Sequence, residues 1–272
     1  MVTEQDAKIV MNRQVASETY LMVLECPEIV AEAKPGQFVM IRVQPGLDPL
    51  LRRPFSVCGT RGHDLFLILY RVVGKGTGIL STVREGKELS TLGPLGSGFE
   101  IRGSGSGSVL VAGGIGIAPL IFLAQAMENE EVVFMTGYRS VTEMIPMDRF
   151  GLRSSMLSVS TDDGTLGHHG PVTELLDQHL AGVTNGRFTV FACGPLSMLR
   201  RVAALTLEQN IPCQVSMEAN MACGIGACRG CAVKASPQAN RTYYHVCQDG
   251  PVFPVQALNW HEMEKPLLGK NA

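Results

Sequence analysis

The sequence predicts a β barrel plus α/β architecture: an antiparallel barrel first, a parallel-sheet domain second, and a small cysteine-rich module at the C-terminal end. Three observations predict it. About the first hundred residues carry short apolar runs divided by turns such as Pro35-Gly36, Pro45-Gly46 and Arg61-Gly62. A tract of alternating glycine and serine, Gly103 to Ser108, then interrupts the chain. After it the rhythm changes to apolar strand, glycine turn and apolar helix, and half of the eight cysteines crowd into the last part. A chain of 272 residues has room for two domains and a further module.

Taken in order, Val39–Val43 and Leu65–Val73 read as barrel strands, because closely spaced runs with such turns suit a small antiparallel barrel. The barrel is expected over residues 1–102. Val109–Ala112 reads as a strand, and Pro119 to about Asn129 as a helix with proline in its first turn, where the missing N–H costs nothing. Val132–Met135, Met156–Val159, a helix over Pro171–Leu180 and Phe188–Ala192 continue the alternation that builds a parallel sheet. That domain is expected over 107–213, the cysteine-rich module over 214–262, and a charged tail over 263–272.

Composition excludes several classes. With 45% hydrophobic and 18% charged residues the chain builds real cores and is not disordered. A net charge of -2 and a pI near 6.3 leave no basic footprint for nucleic acid. The opening stretch, with Thr3, Glu4, Gln5, Asp6 and Lys8, lacks the layout of a signal peptide, so a cytoplasmic protein is expected. From Gly103 to Met127 no charge occurs, a length that reaches across a bilayer on paper. Gly113, Gly114, Gly116 and Pro119 break that run, and a buried strand, turn and helix explain it better.

The most specific motif is Cys223-Gly-Ile-Gly-Ala-Cys228-Arg-Gly-Cys231, followed by Cys247. The first three have the C-x4-C-x2-C spacing of plant-type [2Fe–2S] sites, with a fourth thiolate arriving later. Gly224, Gly226 and Gly230 are expected to let the loop curl, and its N–H groups to bond the cluster sulfurs. Structural zinc also takes four cysteines, although its sites favour paired short knuckles. Cys26, Cys58, Cys193 and Cys213 are scattered in apolar contexts, where an inert buried thiol is the default.

Four further motifs gain weight from their company. Arg53-Pro54-Phe55-Ser56 supplies a planar guanidinium suited to pyrophosphate and a hydroxyl suited to a flavin ring nitrogen, though it also reads as an ordinary strand entry. Tyr70-Arg71-Val72 leads into Gly74-Lys75-Gly76-Thr77-Gly78, read as a phosphate-binding glycine loop. Gly113-Gly114-Ile115-Gly116-Ile117-Ala118-Pro119, between strand and helix, suits a dinucleotide pyrophosphate or a turn packed for its own sake. Cys193-Gly194-Pro195 closes a later strand, at the sheet edge where ligands sit. Arg139 and Ser140 either favour a 2′-phosphate or form a turn; Thr161-Asp162-Asp163-Gly164 reads as a turn. His168, His169 and His245 have no ligand spacing, and Arg200-Arg201 reads as a solvated helix face.

In this order the motifs resemble the ferredoxin reductase superfamily. With the cysteine module added, about residues 5 to 262 resemble the electron transfer subunits of the NAD-dependent dihydroorotate dehydrogenases, most specifically at Met221–Cys228 and Cys247–Phe253. The resemblance implies FAD on Arg53, Pro54, Phe55, Ser56, Tyr70, Arg71, Val72, Thr77 and Gly78. It implies NAD(H) on the segment carrying Gly113, Gly114, Gly116 and Pro119, facing Cys193 and Gly194. Cys223, Cys228, Cys231 and Cys247 would hold a [2Fe–2S] cluster. It further implies a catalytic FMN-containing dihydroorotate dehydrogenase subunit as partner, in a two-plus-two heterotetramer of pyrimidine biosynthesis, with no membrane and no nucleic acid. Subunits of ferredoxin–NADP, sulfide and hydrogenase-type complexes share the layout; in them an aspartate can replace a cluster cysteine, and here all four are cysteine. A TIM barrel for dihydroorotate oxidation takes about 250 residues, so that chemistry is expected on another chain.

Overall fold

A computed structural model describes residues 3–101, 107–127, 131–152, 157–182 and 188–263. Most of the Gly/Ser tract, the expected helix end near Asn129, Met156 and most of the expected tail lie outside the described residues.

Six strands close into a barrel in the order β1-β2-β5-β4-β3-β6. They are β1 (Thr3–Ala16), β2 (Thr19–Glu25), β3 (Phe38–Ile41), β4 (Arg53–Arg61), β5 (Leu65–Arg71) and β6 (Glu88–Leu95), with α1 (Pro27–Glu32) and α2 (Lys75–Thr82) in the connections. All pairs are antiparallel. Alternate residues point inward, so Met22, Leu24, Val39, Ile41, Phe66 and Ile68 fill the interior with at most traces of exposure. Truncating Phe66 to alanine there costs about 3–5 kcal/mol.

The second sheet has seven strands in the order β10-β9-β8-β7-β11-β12-β15. These are β7 (Gly107–Gly113), β8 (Val132–Tyr138), β9 (Leu157–Thr161), β10 (His168–His169), β11 (Phe188–Cys193), β12 (Cys213–Ser216) and, from the C-terminal module, β15 (Val252–Pro254). All neighbours are parallel except the β12–β15 pair. Three helices cover it: α3 (Ile117–Ala126), α4 (Val172–Gly182) and α5 (Leu196–Glu208). Every residue of α3 from Ile117 to Ala124 is buried, since the helix lies between sheet and barrel and is apolar all round. This accounts for the uncharged run. Ten residues of helix span about 15 Å, half a bilayer core, and among the described residues no helix is long and apolar enough to cross a membrane.

The module adds β13 (Ala232–Lys234), β14 (Tyr243–His245) and α6 (Val246–Asp249). Its Cys231, Val246, Cys247 and Phe253 share one core with Val190 and Leu199 of the sheet layer and with Phe38, Met40 and Leu95 of the barrel. Strand β12 runs across the expected boundary at residue 213, and β15 returns to pair with it, Ser216 opposite Val252. The expected solvated face at Arg200-Arg201 is half right. Arg201 pairs with Asp177 at 2.9 Å, whereas the Arg200 Nε is buried and has no hydrogen-bond partner among the described residues.

Candidate functional site

Two cavities and a cysteine loop meet where barrel, sheet and module join. The first cavity, of about 340 Å³, is walled by Arg53, Pro54, Phe55, Ser56, Tyr70, Arg71 and Thr77 on the barrel side. Ile115 and Ala118 of the glycine turn and its helix, and Ser216 to Ala219, Met221 and Pro251, complete it. Register explains the first group. Pairing of Met40 with Pro54 and Ile41 with Arg53 fixes the start of β4 at the rim. The Arg53 guanidinium lies over Gly76, and only its Nη1 has partners, the carbonyls of Leu51 (2.6 Å) and Arg52 (3.5 Å). Its Nε and Nη2 donors have none among the described residues.

The expected glycine loop at Gly74–Gly78 is the first turn of α2. The Thr77 hydroxyl accepts the Val73 N–H at 2.9 Å and the Gly74 N–H at 3.3 Å, which closes that turn despite its glycines. Helix N–H groups thus stand beside free Arg53 donors, a combination that suits an anionic diphosphate. Tyr70 is buried, with its hydroxyl donated to Asn12 at 2.8 Å and its ring stacked on Tyr20. Val72 packs against the barrel core and Gly78 lies inside α2; neither lines the cavity, while the exposed Val73 does.

The second cavity is a cleft of about 610 Å³ along the strand C-termini. Gly113, Gly114, Gly116 and Gly194 line it, with Tyr138, Arg139, Glu143 and Asp162 farther along. The glycines of the turn differ in what surrounds them. A β-carbon on Gly116 would sit 2.4 Å from the Cys193 carbonyl oxygen, so this glycine is required by packing against the end of β11. Gly114, at φ +53°, faces open space. Pro119 and Cys193 are buried and do not reach the cleft surface. Burial, with the Glu218 carboxylate adding to it, pushes the Cys193 thiol well above its ordinary range. Arg71 reaches the cleft, gripping Glu143 with two bonds of 2.8 and 3.3 Å.

The cavities share three walls: Arg71, Ile115 and Glu218. Glu218 stands just past β12, open to the cleft yet surrounded by protein, and burial pushes its carboxyl up. No spacing in the sequence singled it out.

Beyond Met221 the chain curls into the cysteine loop. Gly224, at φ +74°, lies so close to the barrel that a β-carbon there would be 2.5 Å from Met40 Cγ. Gly226 is also left-handed, but the third such residue is Arg229 and not the expected Gly230. Among the described residues no three of the candidate ligands enclose a single ion. The sulfurs fall into two pairs: Cys231 and Cys247 are 3.2 Å apart, and Cys223 interacts with Cys228. Backbone N–H groups converge on them. Gly226 donates to Cys247 Sγ at 3.2 Å, Cys228 and Ile225 to Cys223 Sγ at 3.4 and 3.5 Å, Cys247 to Cys231 Sγ at 3.4 Å, and Gly230 to Cys228 Sγ at 3.5 Å. Burial acts to raise the Cys223 thiol, but its N–H donors outweigh it and hold the group at about 7. Burial and the neighbouring Cys231 sulfur push Cys247 up to about 12. Four sulfurs, each supplied with an N–H donor, are a donor set suited to anionic thiolates on a two-iron cluster. Cys228 and Ile225 are exposed, so the loop's outer side faces solvent.

Known proteins share this arrangement. The family model for the iron–sulfur cluster binding domain of dihydroorotate dehydrogenase B matches residues 218–259, a span that holds all four cysteines. The chain is 39% identical to the electron transfer subunit of dihydroorotate dehydrogenase B (NAD(+)) of Desulforamulus reducens, over 94% of this chain and 98% of that one. It is 38% identical to the corresponding subunit of Caldanaerobacter subterraneus subsp. tengcongensis, over 91% and 95%. Among solved structures, it is similar to a chain of the NADH-dependent reduced ferredoxin–NADP oxidoreductase, with a TM-score of 0.82, 31% identity, and coverage of 94% and 90%. A ferredoxin reductase of carbazole 1,9a-dioxygenase, at 20% identity and a TM-score of 0.66 over 78% and 67%, shares the fold.

Proposed function

Because the chain belongs to the dihydroorotate dehydrogenase B electron transfer subunits, we propose that it carries electrons between NAD(H) and a catalytic FMN-containing dihydroorotate dehydrogenase subunit. The observation that carries this reading is contiguity. The cleft and the smaller cavity share walls, and Met221 of the smaller cavity leads directly into Ala222 and Cys223. FAD, when bound, supplies the exchange between a nicotinamide's hydride and the one-electron chemistry of an iron–sulfur cluster.

The chain's own residues divide the work. Arg53 and the N-terminus of α2 would bind the flavin diphosphate, Ser56 would bond the ring, and Pro54, Phe55, Tyr70 and Thr77 would shape its seat. Arg71 would stand at its wall, where it also meets Glu143; Val72 and Gly78, which do not line the cavity, stay in this set through family likeness alone. Gly113, Gly114 and Gly116 would admit the NAD(H) diphosphate to the start of α3, held in place by Pro119, Cys193 and Gly194. Cys223 with Cys228, and Cys231 with Cys247, would each hold one iron, and the N–H donors would stabilise the sulfur charge. The division into a barrel of 1–102, a nucleotide domain of 107–213, a cluster module of 214–262 and a tail belongs to the same proposal. So does a two-plus-two assembly in the cytoplasm serving pyrimidine biosynthesis.

The 31% identity to a ferredoxin–NADP oxidoreductase chain favours one rival, a subunit of a ferredoxin–NADP, sulfide or hydrogenase-type complex. Co-purification of the native complex separates the two. A partner containing FMN that oxidises dihydroorotate is expected, with FAD, iron and sulfide on this chain. A partner bringing further iron–sulfur clusters and no dihydroorotate oxidation overturns the reading.

A further inference from the structure

Resting on the reading of the smaller cavity as the flavin site, we infer that Asn12 is a positioning residue for the flavin diphosphate, holding α2 in place from the far end of that helix. Asn12 does not line the cavity; it acts through the helix and the tyrosine that do.

The sequence of α2 explains why the helix needs holding. Lys75–Thr82 is eight residues long, with Gly76 and Gly78 beside the β-branched Thr77, Ile79 and Thr82, all residues that add little to a helix. A helix so short does not persist by propensity and depends on what pins its ends. The Thr77 hydroxyl closes the first turn on the Val73 and Gly74 N–H groups. The spacing at that end is tight. A β-carbon on Gly76 would sit 2.8 Å from the Arg53 Nε, so helix and guanidinium stand at one fixed separation. Any drift of α2 therefore alters the pair of donors offered to a diphosphate.

The far end, where the last carbonyls of a helix lack partners within it, is pinned from β1. The Asn12 Nδ2 donates to the Leu80 carbonyl at 2.9 Å and to the Val83 carbonyl at 3.1 Å. Its Oδ1 accepts the Tyr70 hydroxyl at 2.8 Å. Two carbonyls can only accept, so the amide has one usable orientation. A bulge aims it there. Ile9 pairs with Leu24 and Met11 with Val23, so the register of β1 shifts between them. In unbroken alternation Met11 would follow Ile9 into the barrel core. The bulge instead turns Met11 to the core around α3 and Asn12 towards Tyr70. One side chain thereby ties β1, β5 and α2 into a single frame for the cavity.

The test is titration of FAD into the full chain stripped of flavin, read by the change in flavin absorption. Asn12→Asp keeps an acceptor for Tyr70 but removes both donors and sets a carboxylate against two carbonyls. It is expected to weaken FAD about tenfold or more. Asn12→Ala, which removes the donors without adding charge, is expected to weaken FAD about fivefold and to leave bound iron unchanged. Gln14→Ala, on the same strand, whose side chain bonds only the Ala16 carbonyl, should stay within about twofold of the parent. Val190→Ala, in the buried centre of β11, should lower the urea midpoint and leave FAD affinity unchanged, which separates positioning from loss of stability. The inference is overturned if either Asn12 variant binds FAD as tightly as the parent, or if Gln14→Ala or Val190→Ala weakens FAD as far. Should Asn12→Asp not fold, Asn12→Ala decides. Failure of the parent to bind FAD overturns the reading of the cavity itself.

Discussion

Cys213 and Cys223 lie on either side of one short strand-to-loop passage, yet only the second receives backbone N–H bonds on its sulfur. Cys213 sits in β12 among apolar neighbours, and burial pushes it up to about 12. Cys58 in the barrel and Cys193 in the sheet behave alike, both raised by burial. Cys223 is also penalised by its surroundings but receives two backbone N–H bonds, and stands at about 7. The difference teaches that proximity to other cysteines does not by itself make a ligand. What sets the loop cysteines apart is a backbone curled to aim N–H donors at their sulfurs, with Gly224 and Gly226 in the left-handed conformation that the curl needs.

The largest effect expected from this contrast is on metal content. Cys231→Ser or Cys247→Ser should remove about nine-tenths of the iron bound by the purified chain, because a two-iron cluster needs all four thiolates. Cys58→Ala or Cys213→Ala should retain it and cost about 1 kcal/mol in urea unfolding. Elemental analysis breaks the comparison if Cys213→Ala strips iron. A middle effect tests the loop itself. Gly224→Ala, left-handed and pressed against Met40, should cost about 1–3 kcal/mol and speed bleaching of the visible band. Gly230→Ala, whose β-carbon would meet nothing nearer than Cys228 Sγ at 3.7 Å, should change neither.

The smallest effect concerns Glu218, which protein surrounds although its surface opens to the cleft. Glu218 has its carboxyl raised by burial, so the folded chain holds that proton more firmly than the unfolded one. Ionised Glu218 therefore weakens folding above its raised value, and the penalty disappears as pH falls through the ordinary carboxylate value of 4.5. Glu218→Gln should melt higher than the parent at pH 8, with the gap closing towards pH 4. A gap that widens on acidification contradicts the burial assignment.

Spacing and period made much of this molecule legible. The cysteine motif depends on local loop geometry, which a short segment carries whole. The barrel and sheet follow from turn residues and alternating apolar runs. Residues whose meaning is set by distant partners were not legible. Arg71 joins the FAD set only through the resemblance, and nothing in its own strand shows that it will grip Glu143. Gly74–Gly78 reads as a loop, because nothing local shows that Thr77 will close a helical turn. Asp162 and Asp163 are alike in sequence; only the fold turns Asp163 back onto Thr165 at the surface and leaves Asp162 lining the cleft. Glu218 has no pattern at all, since its position results from where β12 ends.

The pairing of β12 with β15 has a consequence for how such a chain can be cut and rebuilt. Ser216 faces Val252 across the ladder, and the Met217 N–H reaches the Pro251 carbonyl at 2.8 Å, so the whole cysteine segment leaves and re-enters the sheet at one point. Topologically it is an oversized hairpin tip. Changes of length at the tip's exposed outer side, around Ile225 and Cys228, leave the β12–β15 pairing in place. The segment is tied to the sheet order at that single point, while its buried residues pack into the core that sheet and barrel share.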